Sequence, residues 1–210
     1  MSGNIFTFRQ NIFRSLPADD IDVIQFQDSD LDESIVDDFL LTAEGSVGIA
    51  AAFGRKCTLS AIAVASGVVV LHIQLTSNRR SRNGRAILSN KILCNPDVSK
   101  LGFDMHRLST SLHLDHGLHI VHAIDLQSVL PSSTPRWALG TIMGVLGGET
   151  ILHKQNVVEV FMENAQISSS AHNVAHRAWA SGRVRHKNMA RVLPINTSTM
   201  DKKVMHESGA

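Results

Sequence analysis

The 210-residue chain has no tyrosine, and aromatic residues make up only 5% of it. That shortage argues against a surface of stacked rings that reads single-stranded bases one by one. Cysteine is equally scarce. Cys57 and Cys94 are the only two, they form no Cys-x-x-Cys pair, and both lie beside apolar sequence. Reduced structural thiols are expected, not a disulfide framework or a thiolate metal site. The apolar run over residues 59–75 is interrupted by Ser60, Ser66, Gly67 and His72 and falls short of a membrane span. Residues 1–16 lack the continuous apolar core of a signal peptide. An intracellular protein without a membrane partner is therefore expected, with nucleus and cytoplasm left open. Basic residues are missing from one stretch altogether. Residues 19–44 hold ten acids and no Lys or Arg, whereas the chain from Gly45 onward holds 18 Lys or Arg against nine acids, a formal +9. The net charge of +1 thus hides an acidic N-terminal segment and a basic body. Such a body suits nucleic-acid contact, and equally a plain solvated surface.

With 43% hydrophobic residues the chain can bury one substantial core. Residues 23–26 read as a short edge strand. Residues 28–41 place Leu31, Ile35, Phe39 and Leu40 at helical spacing, with acids early, where the helix dipole favours them. Residues 47–53, 59–65 and 68–73 read as three neighbouring antiparallel strands, the last two joined at Ser66-Gly67. The β-branched residues of 68–73 fit a central strand covered on both faces. A basic loop over 79–85 feeds a helix at 86–93, stopped before Pro96. A strand at 98–103, a helix at 105–112 and a fifth core strand at 119–124 follow. The spacing then predicts helices at 137–146, ended by Gly147-Gly148, at 157–165 and at 171–184. Residues 1–22 are expected to be an N-terminal docking or flexible segment, 23–184 one domain, and 185–210 a polar tail. The order predicts an α/β fold with a mixed sheet of about five strands flanked by helices.

Four segments carry a resemblance. They are Val47-Gly48-Ile49-Ala50-Ala51-Ala52-Phe53, Lys100-Leu101-Gly102-Phe103-Asp104-Met105-His106-Arg107-Leu108, Ile124-Asp125-Leu126-Gln127, and Val174-Ala175-His176-Arg177-Ala178-Trp179-Ala180. In this order and spacing the chain resembles the DEDD-type 3′–5′ exonuclease domain, with its ribonuclease H-like fold, in the ribonuclease D and Werner-helicase branch. The resemblance implies two metal ions held by four acids, clamping the attacking and leaving oxygens of a phosphodiester. The family's first two acids form Asp-x-Glu on the first core strand; Ala50 and Ala52 stand there. Its third closes a Gly-hydrophobic-Asn/Gly-three-residue-Asp segment, where this chain has Leu108, with Asp104 about one helical turn early. Its fourth lies in a Tyr-Ala-Ala-x-Asp-Ala helix, where Arg177 stands. Asp125 matches the aspartate of the family's Phe-Asp-Thr-Gln segment, which supports the fold and is not a ligand. Hard divalent cations need oxygen ligands, so no metal, no cofactor and no catalysis are expected.

What the resemblance implies is a pseudo-exonuclease that works as an adaptor or scaffold subunit of an RNA- or nucleic-acid-associated complex. Its expected partners are protein subunits of that complex, with RNA and a second copy of the chain also allowed. The alternatives are a weak, sequence-independent RNA-binding module and a residual metal-dependent exonuclease using Asp104 and Asp125. Phosphate contact would fall to Arg79, Arg80, Arg82 and Arg85, and to Arg183, Arg185 and Lys187 at the end of the last helix. Two solvated loops are the plainer reading. Arg177 either meets a phosphate, pairs with Asp104 or Asp125, or is simply solvated. Leu31, Ile35 and Phe39 either form a protein-binding face or pack on the domain's own sheet. His113, His116, His119 and His122 recur every three residues, but Gly117 interrupts them. The last two face opposite ways on the expected strand, so a zinc site is not expected. His172 and His176 read as ordinary surface or helix-packing histidines, and His106 finds no nucleophile to form a triad.

Overall fold

Runs of alternating or continuously apolar residues, rich in Val, Ile and Ala, build one seven-stranded sheet. The computed structural model describes residues 4–13, 20–54, 56–76, 82–128, 154–161 and 170–183. The strands are β1 (Asn4–Arg9), β2 (Asp20–Gln27), β3 (Ser46–Phe53), β4 (Leu59–Ser66), β5 (Val69–Gln74), β6 (Ser99–Gly102) and β7 (Ala123–Asp125). Their spatial order is β1-β2-β5-β4-β3-β6-β7. The three antiparallel neighbours are present as expected, with Gly48 opposite Ala65 and Ser66 opposite Val69. β6 and β7 continue the sheet parallel to β3. These five strands are the expected core sheet. Two more lie beyond β5: β2 parallel to β5, and β1 antiparallel to β2.

The extra strands correct two expectations. The short edge strand at 23–26 is longer and interior, and part of the supposed docking or flexible segment, Asn4–Arg9, takes the edge. The cause is tertiary. Phe8 turns inward onto the His172 and His176 rings, with centroids 5.1 and 4.8 Å away, and Ile21 and Val23 bury the same side of β2. The strand expected at 119–124 shrinks to Ala123–Asp125. Upstream of it, the Val121 amide donates to the Leu93 carbonyl at 2.9 Å instead of to a neighbouring strand, and His122 has a left-handed φ of 51°.

Helices cover both faces. On one face lie α1 (Glu33–Leu41), α2 (Arg82–Ile87), which continues as a π-helical stretch over Leu88–Leu93, and α3 (Met105–His116). On the other lie α4 (Lys154–Phe161) and α5 (Ala171–Arg183). Strand alternation sorts β3 between them: Val47 and Ile49 bury toward the first layer, Ala50 and Ala52 toward the second. α5 crosses β3 with backbone against backbone, because a methyl group at Gly48 would overlap the Ala178 carbonyl oxygen and the Gly182 amide. The helix expected at 137–146, the second half of that at 157–165, and the tail lie outside the described residues.

The helix expected over 28–41 is broken. Asp28–Asp30 form a 3-10 turn, Leu31 is extended, and Asp32 caps α1 by accepting from the Ser34 amide at 2.9 Å. The break follows from Asp28, whose side chain is fully buried. Its carboxylate accepts from Arg85 Nε at 2.8 Å, Thr76 Oγ1 at 2.8 Å and the Thr76 amide at 3.2 Å. These bonds clip together the two ends of the chain that flank residues 77–81. Removing one partner of a buried pair strands the other. Asp28→Ala should therefore lower stability by about 3 kcal/mol, read as a lower urea midpoint with an unchanged slope. Asp28→Asn, which keeps an acceptor for Thr76, should lose less. An unchanged midpoint for Asp28→Ala would refute the role.

Candidate functional site

β3 and β4 meet across an alanine floor. Ala50 stands opposite Ala63 and Ala52 opposite Ala61. The small side chains allow α5 to lie close, and Val174, Ala175 and Ala178 of that helix bury in the same apolar cluster. Ala50 is 9% and Ala52 2% exposed, so both face packed hydrocarbon. From α5, Arg177 Nη2 donates to the Ala51 carbonyl at 2.9 Å. Beside this face, Phe103 and Phe161 pack edge to face with centroids 5.1 Å apart, against the same cluster. The structure thus places Arg177 beside the strand segment that carries Ala50 and Ala52.

Leu108 does not join them. It lies one turn inside α3 and buries with Ile49 and Met105 in the core on the opposite side of the sheet. A residue at that position cannot complete a ligand set with the β3 alanines, which corrects its assignment. Asp104 stands instead at the end of β6, at the start of α3, in a left-handed conformation with φ 56°. Its carboxylate lies 3.9 Å from Arg107 Nη1, and the Arg107 guanidinium lies 3.9 Å over the Phe53 ring. Asp125 supports the fold. Its Oδ2 accepts from the Met105 amide at 3.0 Å and its Oδ1 from the Gln127 amide at 2.9 Å. It thereby supplies the N-terminal cap that the Asp104 side chain does not give α3.

The remaining predicted residues divide sharply. Arg85 Nε is bonded to buried Asp28 at 2.8 Å and its side chain is largely buried, which counts against its reading as a solvated member of a basic track. Arg82 opens α2, but its side chain, like Arg79, Arg80, Arg185 and Lys187, lies outside the described residues. Arg183 closes α5 with its guanidinium 5.5 Å over the Trp179 ring. Leu31 and Phe39 are 3% and 4% exposed and Ile35, partly buried, packs against the same core, so these side chains are taken up by the domain's own interior. Their periodicity could not distinguish the two outcomes, because burial within the chain and burial against a partner leave the same pattern.

The histidines also resolve into packing. His113 and His119 stack at 4.9 Å, and His116 Nε2 bonds the Leu59 carbonyl oxygen at 2.8 Å. Asp115 accepts from the Leu59 amide at 2.8 Å, so the end of α3 grips the start of β4. Among the described residues, no group of three or more His, Cys, Asp or Glu could hold a metal ion. No helix among them is long and apolar enough to cross a membrane.

Solved structures of two other proteins are similar in fold. The Nibbler EXO domain of Aedes aegypti is 13% identical with a TM-score of 0.51, over 80% of this chain and 89% of that one. Trypanosoma brucei RNase D is 14% identical with a TM-score of 0.50, over 86% and 70%. The fold is that of the DEDD-type 3′–5′ exonuclease domains. No protein-family model matches the chain, and no curated protein matches it.

Sequence reasoning did not foresee the titration behaviour of α5. His176 is 1% exposed among Phe8, His172 and Trp179, and burial pushes its pKa down to about 4, with the nearby His172 adding to the shift. Burial lowers His72 in β5 as well. A histidine held neutral in the fold takes its proton more readily when unfolded. Stability should therefore be complete above the unfolded value of 6.5, fall as pH drops toward about 4, and level off below. The fall due to His176 is on the order of 3 kcal/mol. Urea midpoints measured across this range should show it, and His176→Phe should flatten most of the slope. The same slope in that variant would place the titration elsewhere.

Proposed function

We propose that this domain is a catalytically inactive exonuclease-like module that serves as an adaptor or scaffold subunit in an RNA- or nucleic-acid-associated complex. The observation that carries the reading is the alanine pair under α5. Two-metal hydrolysis requires carboxylates to hold the ions that activate water and stabilise the leaving oxygen. Methyl groups buried in hydrocarbon offer no ligand, and Arg177 at the Ala51 carbonyl adds a positive charge beside them. The nearby acids do not replace the set. Asp104 stands at the end of β6, while Asp125 accepts two backbone amides. Incubated with 3′-labelled single-stranded RNA or DNA and Mg²⁺ or Mn²⁺, the protein should leave both intact. Processive shortening abolished by Asp104→Asn would establish a residual exonuclease instead.

The charge distribution favours a second reading, weak RNA binding without sequence preference, since 18 Lys or Arg face nine acids from Gly45 onward. Phosphate contacts of this kind release counterions, so binding should be length-dependent and fall steeply with salt. In a titration of labelled RNA at about 50 mM salt, Arg79→Ala, Arg80→Ala and Arg82→Ala combined should weaken binding without lowering the urea midpoint. If the native protein does not bind under those conditions, protein scaffolding stands alone.

A further inference from the structure

Among the described residues, the two edges of the sheet are finished differently. β7 closes one side with three residues, whereas β1 closes the other with six, Asn4–Arg9, in unbroken register with β2. The direction of the peptide groups on the β1 edge follows from one bond. The Asp22 amide donates to the Val68 carbonyl at 2.9 Å, so Asp22 turns its N–H and C=O toward β5. Its partner in β1, Thr7, therefore sits in a non-hydrogen-bonded pair and turns its own N–H and C=O away from β2. Ile5 and Arg9, two residues to either side, do the same. Among the described residues, no backbone group takes these outward donors and acceptors.

Sheet proteins commonly blunt such an edge with proline, lysine, a bulge or a very short strand. β1 has none of these. Ile5, Phe6, Thr7 and Phe8 are good strand formers, and the one charge, Arg9, is held by Asp20 of its own chain at 2.8 Å. Ile5 is 68% exposed on the face that also carries Thr7 and Arg9. We propose that β1 is a docking edge for a second copy of this chain, paired antiparallel about a two-fold axis through Thr7, so that two sheets become one. The register selects this occupant. With the axis at Thr7, Thr7 meets its counterpart and Ile5 meets Arg9 of the second copy, so every outward group of both strands is bonded. An axis at Phe6 would leave Arg9 without a strand partner, and one at Phe8 would leave Ile5 without one. On the other face the same register sets Phe6 opposite Phe8 of the second copy. Phe8 is buried in the apolar cluster under α5 and Phe6 packs against it, so cross-strand aromatic contacts join the clusters of the two copies. The two Arg9 side chains lie at opposite ends of the junction, and no like charges meet. The pairing goes beyond the scaffold reading and needs neither RNA binding nor loss of nuclease activity.

Sedimentation velocity of the full chain, at concentrations up to about 100 μM, should show a reversible equilibrium between monomer and dimer. Thr7→Pro removes an N–H that points away from β2, and the loss falls on both copies, so it should weaken the dimer by roughly tenfold or more. Thr7→Lys and Thr7→Glu leave the bonds to β2 in place and set like charges face to face on the axis. Each alone should weaken the dimer to a similar degree. An equimolar mixture of the two charged variants sets opposite charges there and should recover a dimer with one chain of each kind. That recovery keeps the test decisive if the proline variant folds poorly. A native chain that stays monomeric at the highest concentration would overturn the pairing. So would a dimer equally strong in all three variants, or a mixture no stronger than either charged variant alone.

Discussion

α5 lies on the sheet with its backbone in contact with that of β3, at Gly48 and Gly182. That contact fixes the height and direction of the helix, and most features of functional interest follow from it. On one side of the crossing, Arg177 is delivered to the Ala51 carbonyl and the β3 alanines are roofed by aliphatic side chains. On the other side, Trp179 and Arg183 are carried over the turn that follows α1. The alanine pairs between β3 and β4 serve the same end, since larger side chains would lift the helix from the floor.

A two-metal nuclease needs acids at a wet, charged junction between strand and helix. Here Ala50 and Ala52 are buried in an apolar cluster, and beside them a guanidinium is bonded to main chain. Hydrophobic packing and metal binding compete for the same volume, because carboxylates without ions or donors are unfavourable in hydrocarbon. The aliphatic contacts that hold α5 down on β3 are thus the physical counterpart of the proposed loss of chemistry. Asp125 shows the complementary case: its carboxylate persists where two amide donors consume both oxygens.

Charge was a poor guide to surface function in the same way. Arg85 belongs to a dense basic run, yet its guanidinium is drawn to Asp28, 57 positions earlier in the chain. The acidic segment likewise contributes its apolar residues to the core and one of its acids to a buried pair. Local composition describes how many charges a segment carries. Which of them meet solvent depends on partners brought in from elsewhere.

The sequence alone determined the three antiparallel strands around Ser66-Gly67, the helix over 171–183 and the strand–helix order of the domain, because period-2 and period-3.6 patterns record local burial. The resemblance to the exonuclease family, carried by short motifs, singled out Ala50, Ala52, Arg177 and Asp125. Only the tertiary structure decided that residues 4–9 form the sheet edge and that Leu108 lies on the far face from the alanines. It alone decided that the helix after Gln27 breaks at Asp28, and that Trp179 and Arg183 share a cavity with Ser66. Each of these depends on two segments distant along the chain meeting in one place, and a one-dimensional pattern carries the burial of a residue without naming what buries it.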